Sequence, residues 1–295
     1  MAPLSDLITG TVLYNKLCED VLSGKADRTF TEYRILFFLA NVEGGRARIH
    51  ALAESLILNT STVSDAVKAL ESAGFIEKDR EENDLKAIWA IITKAGREEF
   101  VRCSDALLEG TNEYWNSVGA AIREKYFTYG VMLTHTWKHP LQAAHQLPKP
   151  VFYSFISKWH LSSYVSWFKS TYNLSLIDVR ILMLLLEREE AITCGDIAYL
   201  LRVSNSAVSS SLRRLSRIKK YIARDSATSN RETKNRLTDE GAERIREIRN
   251  RFILFNMEQF GMSSEEFENM LLATFTHERK NYMQKIFGSD FTKNH

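Results

Sequence analysis

Apolar positions recur along this chain with a helical period, give way to short strands, and then run through the same order again. Leu4, Leu7, Ile8, Val12, Leu17 and Val21 lie three to five residues apart, which predicts an amphipathic opening helix with Gly24 as its stop. A second helix is expected after Thr31, with Glu32 near its start, Ile35, Leu36, Phe38 and Leu39 on its apolar face, and Gly44-Gly45 breaking it. Two short helices follow, over about 49–57 and 61–73. Asn59, Thr60 and Ser61 supply turn and cap chemistry between them, and Gly74 closes the second. Phe75-Ile76 and 87–92 read as strands around a polar turn at 80–84, which is a hairpin. A long helical region then runs from Lys94 to about Trp137.

The second half predicts the same series. An aromatic-rich helix covers about 151–172, and helices are expected at 177–189, 192–201 and 206–219, the last entered through Ser204-Asn205-Ser206. Strands near 221–224 and 233–237 flank a polar tip. Long helices are expected at 239–260 and about 264–286, with Ser263-Ser264 before Glu265-Glu266 as a cap for the last. The correspondence extends to residues. Tyr33-Arg34-Ile35-Leu36 returns as Val179-Arg180-Ile181-Leu182, Val63-Ser64 as Val208-Ser209, Phe75-Ile76 as Tyr221-Ile222, and Thr93-x-x-Gly96 as Thr238-x-x-Gly241, always 145 or 146 residues later. A period that long predicts two copies of one domain, each able to hold its own core, rather than a solenoid. The expected boundaries are 1–137 and 151–295. The stretch 138–150, with three of the four prolines, is read as the linker.

Composition adds a contrast between the halves. Apolar residues are 44% and charged residues 26%, ordinary for a globular chain. Residues 1–146 carry 16 Lys+Arg against 20 Asp+Glu, a net −4, whereas 147–295 carry 23 against 17, a net +6. If both halves face a polyanion, the second should hold it harder. Cys18, Cys103 and Cys194 are odd in number and far apart, which argues against a disulfide framework or a Cys-rich zinc site. No apolar run is long enough for a bilayer and no secretory leader pattern opens the chain, so a cytoplasmic protein away from membranes is expected.

Helix, turn, helix and hairpin in this order define a winged helix-turn-helix. The fold class expected is mainly α with small β-hairpin wings, in two tandem domains joined by long dimerisation-type helices. A short helix of this kind fits the DNA major groove, and small polar residues in its first turn let its backbone approach closely. In the second copy that places Ser204, Asn205, Ser206, Ser209 and Ser210 at the DNA. Arg213 and Arg214 stand further along the helix as phosphate anchors, and Arg224, Asn230, Arg231 and Lys234 lie on the wing. In the first copy the matching set is Asn59, Thr60, Ser61, Thr62, Ser64 and Lys68 on the helix, with Arg80 and Lys86 on the wing. Asp65 stands where the second copy has Ser210, and Ala69 where it has Arg214, so the second copy is expected to carry most of the affinity.

These residues resemble the MarR family of bacterial transcription regulators over about 30–100 and 176–245. The most specific element is the wing end: Asp-x-Arg near the tip, five variable residues, then Leu-Thr-x-x-Gly. The second copy supplies Arg231, Leu237, Thr238 and Gly241 but has Ser229 in place of the Asp. The first supplies Asp84, Ile92, Thr93 and Gly96 but has Lys86 in place of the Arg. The resemblance implies that the tip Arg enters the minor groove. It also implies that one chain acts like a dimer of family subunits on an imperfect palindrome, either as a monomeric pseudo-dimer or as a homodimer. Repression is the commoner action in the family. Its members often bind small molecules, so an effector is expected at most, and no cofactor is required.

Trp159, Trp167 and Tyr126 belong to aromatic clusters that read either as core packing or as an effector pocket. Cys18, on the opening helix, is faintly similar to the reactive Cys of the peroxide-sensing branch, although Glu19 and Asp20 oppose a low thiol pKa and a buried apolar role is the alternative. His135 and His139 are four apart, but no further ligand completes a metal set. No P-loop, GxGxxG, HExxH or GxSxG occurs, so an enzyme is not expected. The alternative function is a winged-helix adaptor for protein partners with DNA binding reduced or lost.

Overall fold

The computed structural model describes residues 4–81, 84–135, 137, 140–226, 233–260, 263 and 265. Its elements begin with α1 (Leu4–Ala26), α2 (Phe30–Asn41), β1 (Arg46–Arg48), α3 (Ile49–Ser55), α4 (Thr60–Ser72), β2 (Ile76–Glu81) and β3 (Asp84–Ile92). The long helices α5 (Lys94–Ser117), α6 (Ala120–His135) and α7 (Lys149–Tyr172) follow. The series then returns as α8 (Leu176–Arg188), β4 (Ile192–Thr193), α9 (Cys194–Leu201), α10 (Asn205–Arg217), β5 (Ile222–Ser226), β6 (Thr233–Leu237) and α11 (Asp239–Phe260). Strands form antiparallel sheets in the orders β1-β3-β2 and β4-β6-β5. The chain is thus mainly helical with small antiparallel sheets. The helix expected at about 264–286 falls almost wholly outside the described residues.

The chain divides into two compact units: Leu13–Ser163, and Met1–Val12 together with Tyr164–His295. The divide falls within α1 and within α7. Residues Pro140, Leu141 and Ala144, in the stretch read from the sequence as linker, are buried, and Leu141–Gln146 form a 3-10 turn.

In the unit Leu13–Ser163, α2 is the central element, because its run of Phe, Tyr, Ile and Leu is buried on nearly every side. Its start is a capping box at Thr29, two residues before the start expected from the sequence. The Thr29 hydroxyl accepts from the Glu32 N–H at 3.1 Å, and the Glu32 carboxylate accepts from the Thr29 N–H at 2.7 Å. Tyr33 stacks on Phe100 with centroids 5.8 Å apart, and Phe37 meets Phe155 at 4.7 Å. One face of α1 pairs with α7 through polar contacts. Tyr14 and Ser154 hydroxyls lie 2.6 Å apart, Asn15 donates to Ser157 Oγ at 2.9 Å, and Lys158 donates to Glu19 at 2.6 Å.

In the second unit, α11 packs on α7 through Phe252, 5.3 Å from Phe168 and 4.8 Å from Tyr164, whose hydroxyl donates to Asn256 Oδ1 at 2.6 Å. The Glu187 carboxylate, at the end of α8, accepts from the backbone N–H of Ser5 in α1 at 3.1 Å.

Two devices occur in both units at matching positions. Arg34 and Arg180 are buried in α2 and α8, and each donates through Nη2 to the carbonyl that ends the following helix, Leu56 at 2.6 Å and Leu201 respectively. Burial pushes both guanidinium groups down to about 10. The second device is Thr-x-x-Gly after the hairpin. The Thr93 hydroxyl accepts from the Gly96 N–H at 3.0 Å and donates to the Gly74 carbonyl at 2.9 Å. Thr238 does the same with Gly241 and Lys220 at 3.0 and 2.9 Å. The threonine therefore caps the helix and ties it to the turn that opens the hairpin.

Two sequence expectations needed correction, and one pair of strands was missed. Gly24 does not stop α1, which continues to Ala26 and ends where Asp27 adopts a left-handed backbone (φ 51°). The helical region 94–137 is two helices, because Val118 is extended (φ −76°, ψ 131°) at the end of α5. The strands β1 and β4, which complete each sheet, were not foreseen.

Candidate nucleic-acid interface

On α10 the apolar residues Val208, Leu212 and Leu215, with Ser211, are buried, and the opposite face is open. Asn205, Ser206, Ser209, Ser210, Arg213 and Arg217 are all exposed on it, following each other at helical spacing. Ser204 is the N-cap, accepting from the Ala207 N–H at 3.2 Å with its hydroxyl 3.0 Å from that of Ser206. The first turn thus presents hydroxyls and backbone N–H groups, and the next two turns present guanidinium groups. That arrangement accepts phosphate oxygens and base edges. Arg224 on β5 and Lys234 on β6 are also exposed, and the strands pair in register with Arg224 opposite Asn235. Asn230 and Arg231, expected at the wing tip, lie outside the described residues.

Arg214 does not join this face. Its Nη2 is ion-paired with the fully buried Asp178 carboxylate and donates to Ser175 Oγ at 2.8 Å. Sequence reading set Arg214 beside Arg213 as a phosphate anchor; adjacent helix positions point about 100° apart, and the half-exposed Arg214 side chain is held by a buried acid on α8. Asp178 was missed, although Ser175-x-x-Asp178 is itself a capping signature.

The first unit offers a different face. Asn59, Thr60, Ser61, Thr62 and Lys68 are exposed on and beside α4, and Ser64 is half-buried. Asn59 is the N-cap residue by position, with no side-chain cap bond. Exposed Asp65 stands among them, and the cation of Lys78 is held by Glu71 at 2.6 Å. Arg80 lies on β2 opposite Ile88, and Lys86 lies on β3. Positive charge in this unit appears where sequence reading did not look. Arg46 and Arg48, exposed on β1, stand over the Trp89 ring with guanidinium carbons 4.7 and 5.3 Å from its centroid.

The regulatory candidates resolve toward packing. Cys18 is fully buried, and burial pushes its thiol up to about 12, which is the opposite of the exposed thiolate a sensor needs. Tyr126 stacks on Trp115 at 5.4 Å, Trp159 packs on Trp137 at 5.2 Å, and Trp167 stacks on Phe255 at 5.1 Å, so all three serve aromatic packing. His139 is outside the described residues. Among the described residues no three His, Cys, Asp or Glu side chains gather as a metal site, and no helix is long and apolar enough to cross a membrane.

A short helix with a polar first turn, set between a supporting helix and a three-stranded wing, defines a winged helix-turn-helix module of the kind used on nucleic acid. Residues 29–88 match the model of the MarR family. That family consists of transcription regulators rather than enzymes. An uncharacterized HTH-type transcriptional regulator of Bacillus subtilis (strain 168), YwhA, is 29% identical over 72 residues, covering 23% of this chain. The chain spans about half, 52%, of that relative's length. Among solved structures, the chain is similar to Sco3205, a MarR family transcriptional regulator from Streptomyces coelicolor in complex with DNA. That similarity has 25% identity, covers 35% of this chain and 68% of the other, and has a TM-score of 0.32. It is also similar to the transcriptional regulator BldR from Sulfolobus solfataricus, with 23% identity, 36% and 73% coverage and a TM-score of 0.32.

Proposed function

We propose that this protein is a sequence-specific regulator of transcription that binds double-stranded DNA in the cytoplasm of a bacterium, acting as a repressor. The observation that carries the reading is the open face of α10, where hydroxyls, helix N–H groups and the guanidinium groups of Arg213 and Arg217 stand together without an acid. The second unit holds most of the DNA affinity. The first sets register, because its α4 presents Asp65 beside Lys68.

The reading extends to a tandem form: two winged copies, 1–137 and 151–295, acting as one pseudo-dimer. Supporting it, the same order of helices and strands occurs twice. Residues 1–12 group with the second copy, as the start of α7 groups with the first. Small-molecule control belongs to the proposal as well. The second unit has a cleft of about 900 Å³ lined by Leu185, Leu186, Glu187, Arg236, Leu237 and Arg249, large enough for an effector.

Selection of duplexes from a random pool by the full chain, at two salt concentrations, tests the function. Enrichment of an imperfect palindrome with one sharper half-site, bound more weakly as salt rises, is the expected result. No enriched duplex at low salt would remove the DNA reading and leave the adaptor.

A further inference from the structure

The two units differ at a buried contact beneath the recognition helix. In the second unit the Asp178 carboxylate is fully buried and receives four hydrogen bonds: from the Ser175 N–H at 2.8 Å, the Ser175 hydroxyl at 2.7 Å, the Ser211 hydroxyl and Arg214 Nη2. Ser211 and Arg214 both lie on α10, whereas Asp178 and Ser175 are the N3 and N-cap residues of α8. The matching positions in the first unit are Glu32, Ala66 and Ala69. Glu32 caps Thr29, and two alanines give α4 no polar side chain with which to reach it. So α4 is seated by buried Val63, Val67 and Leu70 and tied to β2 by the Glu71–Lys78 ion pair, while α10 has a directional, charge-assisted tether to α8 itself.

Apolar contacts are non-directional and allow a helix to roll a little at small cost; hydrogen bonds from two side chains of α10, one turn apart, to a single buried carboxylate do not. Rolling α10 would carry Ser206, Ser209, Ser210 and Arg213 together away from any base edges they meet. Resting on the DNA-binding reading above, we propose that Asp178, Ser211 and Arg214 are positioning residues that fix the angle of α10. They would thereby set how sharply the second unit discriminates between duplex sequences, without touching DNA themselves.

The competing role for Arg214 is a phosphate anchor, and salt separates the two. An anchor contributes to counterion release, so its loss lowers the slope of log K against log salt by about 1. A positioning residue changes the ratio of cognate to scrambled affinity and leaves that slope alone. The experiment measures both duplexes across a salt series with the full chain, its cognate site taken from the random-pool selection. The variants are Asp178→Asn, Ser211→Ala, Arg214→Lys and Arg214→Ala. Ser211→Ala removes one hydroxyl and leaves the ion pair, so it keeps the test open should Asp178→Asn fail to fold. Asp178→Asn and Arg214→Ala are expected to cut the ratio by about tenfold, the order of one lost base contact, at unchanged slope. Ser211→Ala should cut it less, and Arg214→Lys should keep most of it. Wild-type ratios in Asp178→Asn and Ser211→Ala, with a slope reduced by about 1 in Arg214→Ala, would overturn the proposal while leaving DNA binding intact. A wild-type chain that enriches no duplex would overturn both.

Discussion

A Cβ atom on Gly241 would stand 2.1 Å from the carbonyl oxygen of Tyr221, and one on Gly96 would stand 2.1 Å from that of Phe75. The same helix start therefore presses on the same strand start in both units, and the obstructing atom is backbone, which cannot swing aside. Gly241→Ala and Gly96→Ala are each expected to destabilise their unit by about 3 kcal/mol or more, the upper end for overpacking. Thr238→Ala, which removes the cap and the bond to the Lys220 carbonyl without crowding the backbone, should cost about 1–2 kcal/mol. Urea unfolding of the full chain checks this order. Equal losses for Gly241→Ala and Thr238→Ala would mean that the strand start yields and the close approach is not the constraint.

That contact shows why part of the fold was legible in sequence. Thr-x-x-Gly is a spacing rule because the cap and the close approach are made within one helical turn, so the repeat at 93–96 and 238–241 announces itself. The apolar runs of α2 and α8 were equally plain, since burial on nearly all sides leaves little polar interruption. The strand β1 was hidden because Arg-Ala-Arg carries no strand pattern, and its pairing with Trp89–Ile91 is a backbone matter settled by residues some forty positions away. The ion pair of Arg214 was hidden for a similar reason. Sequence shows a charge at the right distance along the helix, but only the partner 36 residues earlier decides which way it turns. For Cys18 the sequence left a reactive and a buried apolar role both open; its place one turn after Tyr14, on the face that meets α7, selects the buried one.

Thiol chemistry should separate the three cysteines. Cys18 and Cys103 are buried and their thiols are pushed up to about 12, chiefly by desolvation, whereas Cys194 is half-buried at the start of α9. With a disulfide reagent at mildly alkaline pH, the native chain should label at Cys194 first, and all three should label in denaturant. Mild peroxide should leave Cys18 a free thiol, as mass spectrometry of the quenched protein would show. Rapid native labelling of Cys18 would restore the redox reading rejected above.

Acid should destabilise the chain through His160. The ring is buried, and burial pushes its pKa down to about 3. An unfolded histidine titrates near 6.5, so between those values the unfolded state binds the extra proton and stability falls as pH falls. The contribution is complete above about pH 6.5 and is lost toward pH 3 at up to about 1.4 kcal/mol per unit. Replacing it by a residue that does not titrate, His160→Gln, should flatten the acid limb of a plot of unfolding free energy against pH. An unchanged limb would assign the acid sensitivity to other groups.

The asymmetry between the two helix faces makes the sharpest claim about DNA. Arg213 is exposed on the open face of α10, with Ser209 and Ser210 one turn before it and Arg217 one turn after. Nothing acidic stands on α10, whereas Lys68 on α4 shares its exposed face with Asp65 one turn earlier. A cation whose neighbour is an exposed acid brings less net charge to a phosphate and displaces fewer counterions. Arg213→Ala should therefore weaken binding to cognate and scrambled duplexes alike and lower the salt slope by about 1. Lys68→Ala should move the slope by clearly less, and Asp65→Ser, which copies the second unit, should steepen it. Fluorescence anisotropy over a salt series reads all three variants. If Lys68→Ala lowered the slope as much as Arg213→Ala, the two units would share the phosphate contacts equally, and the division of labour proposed for them would be lost.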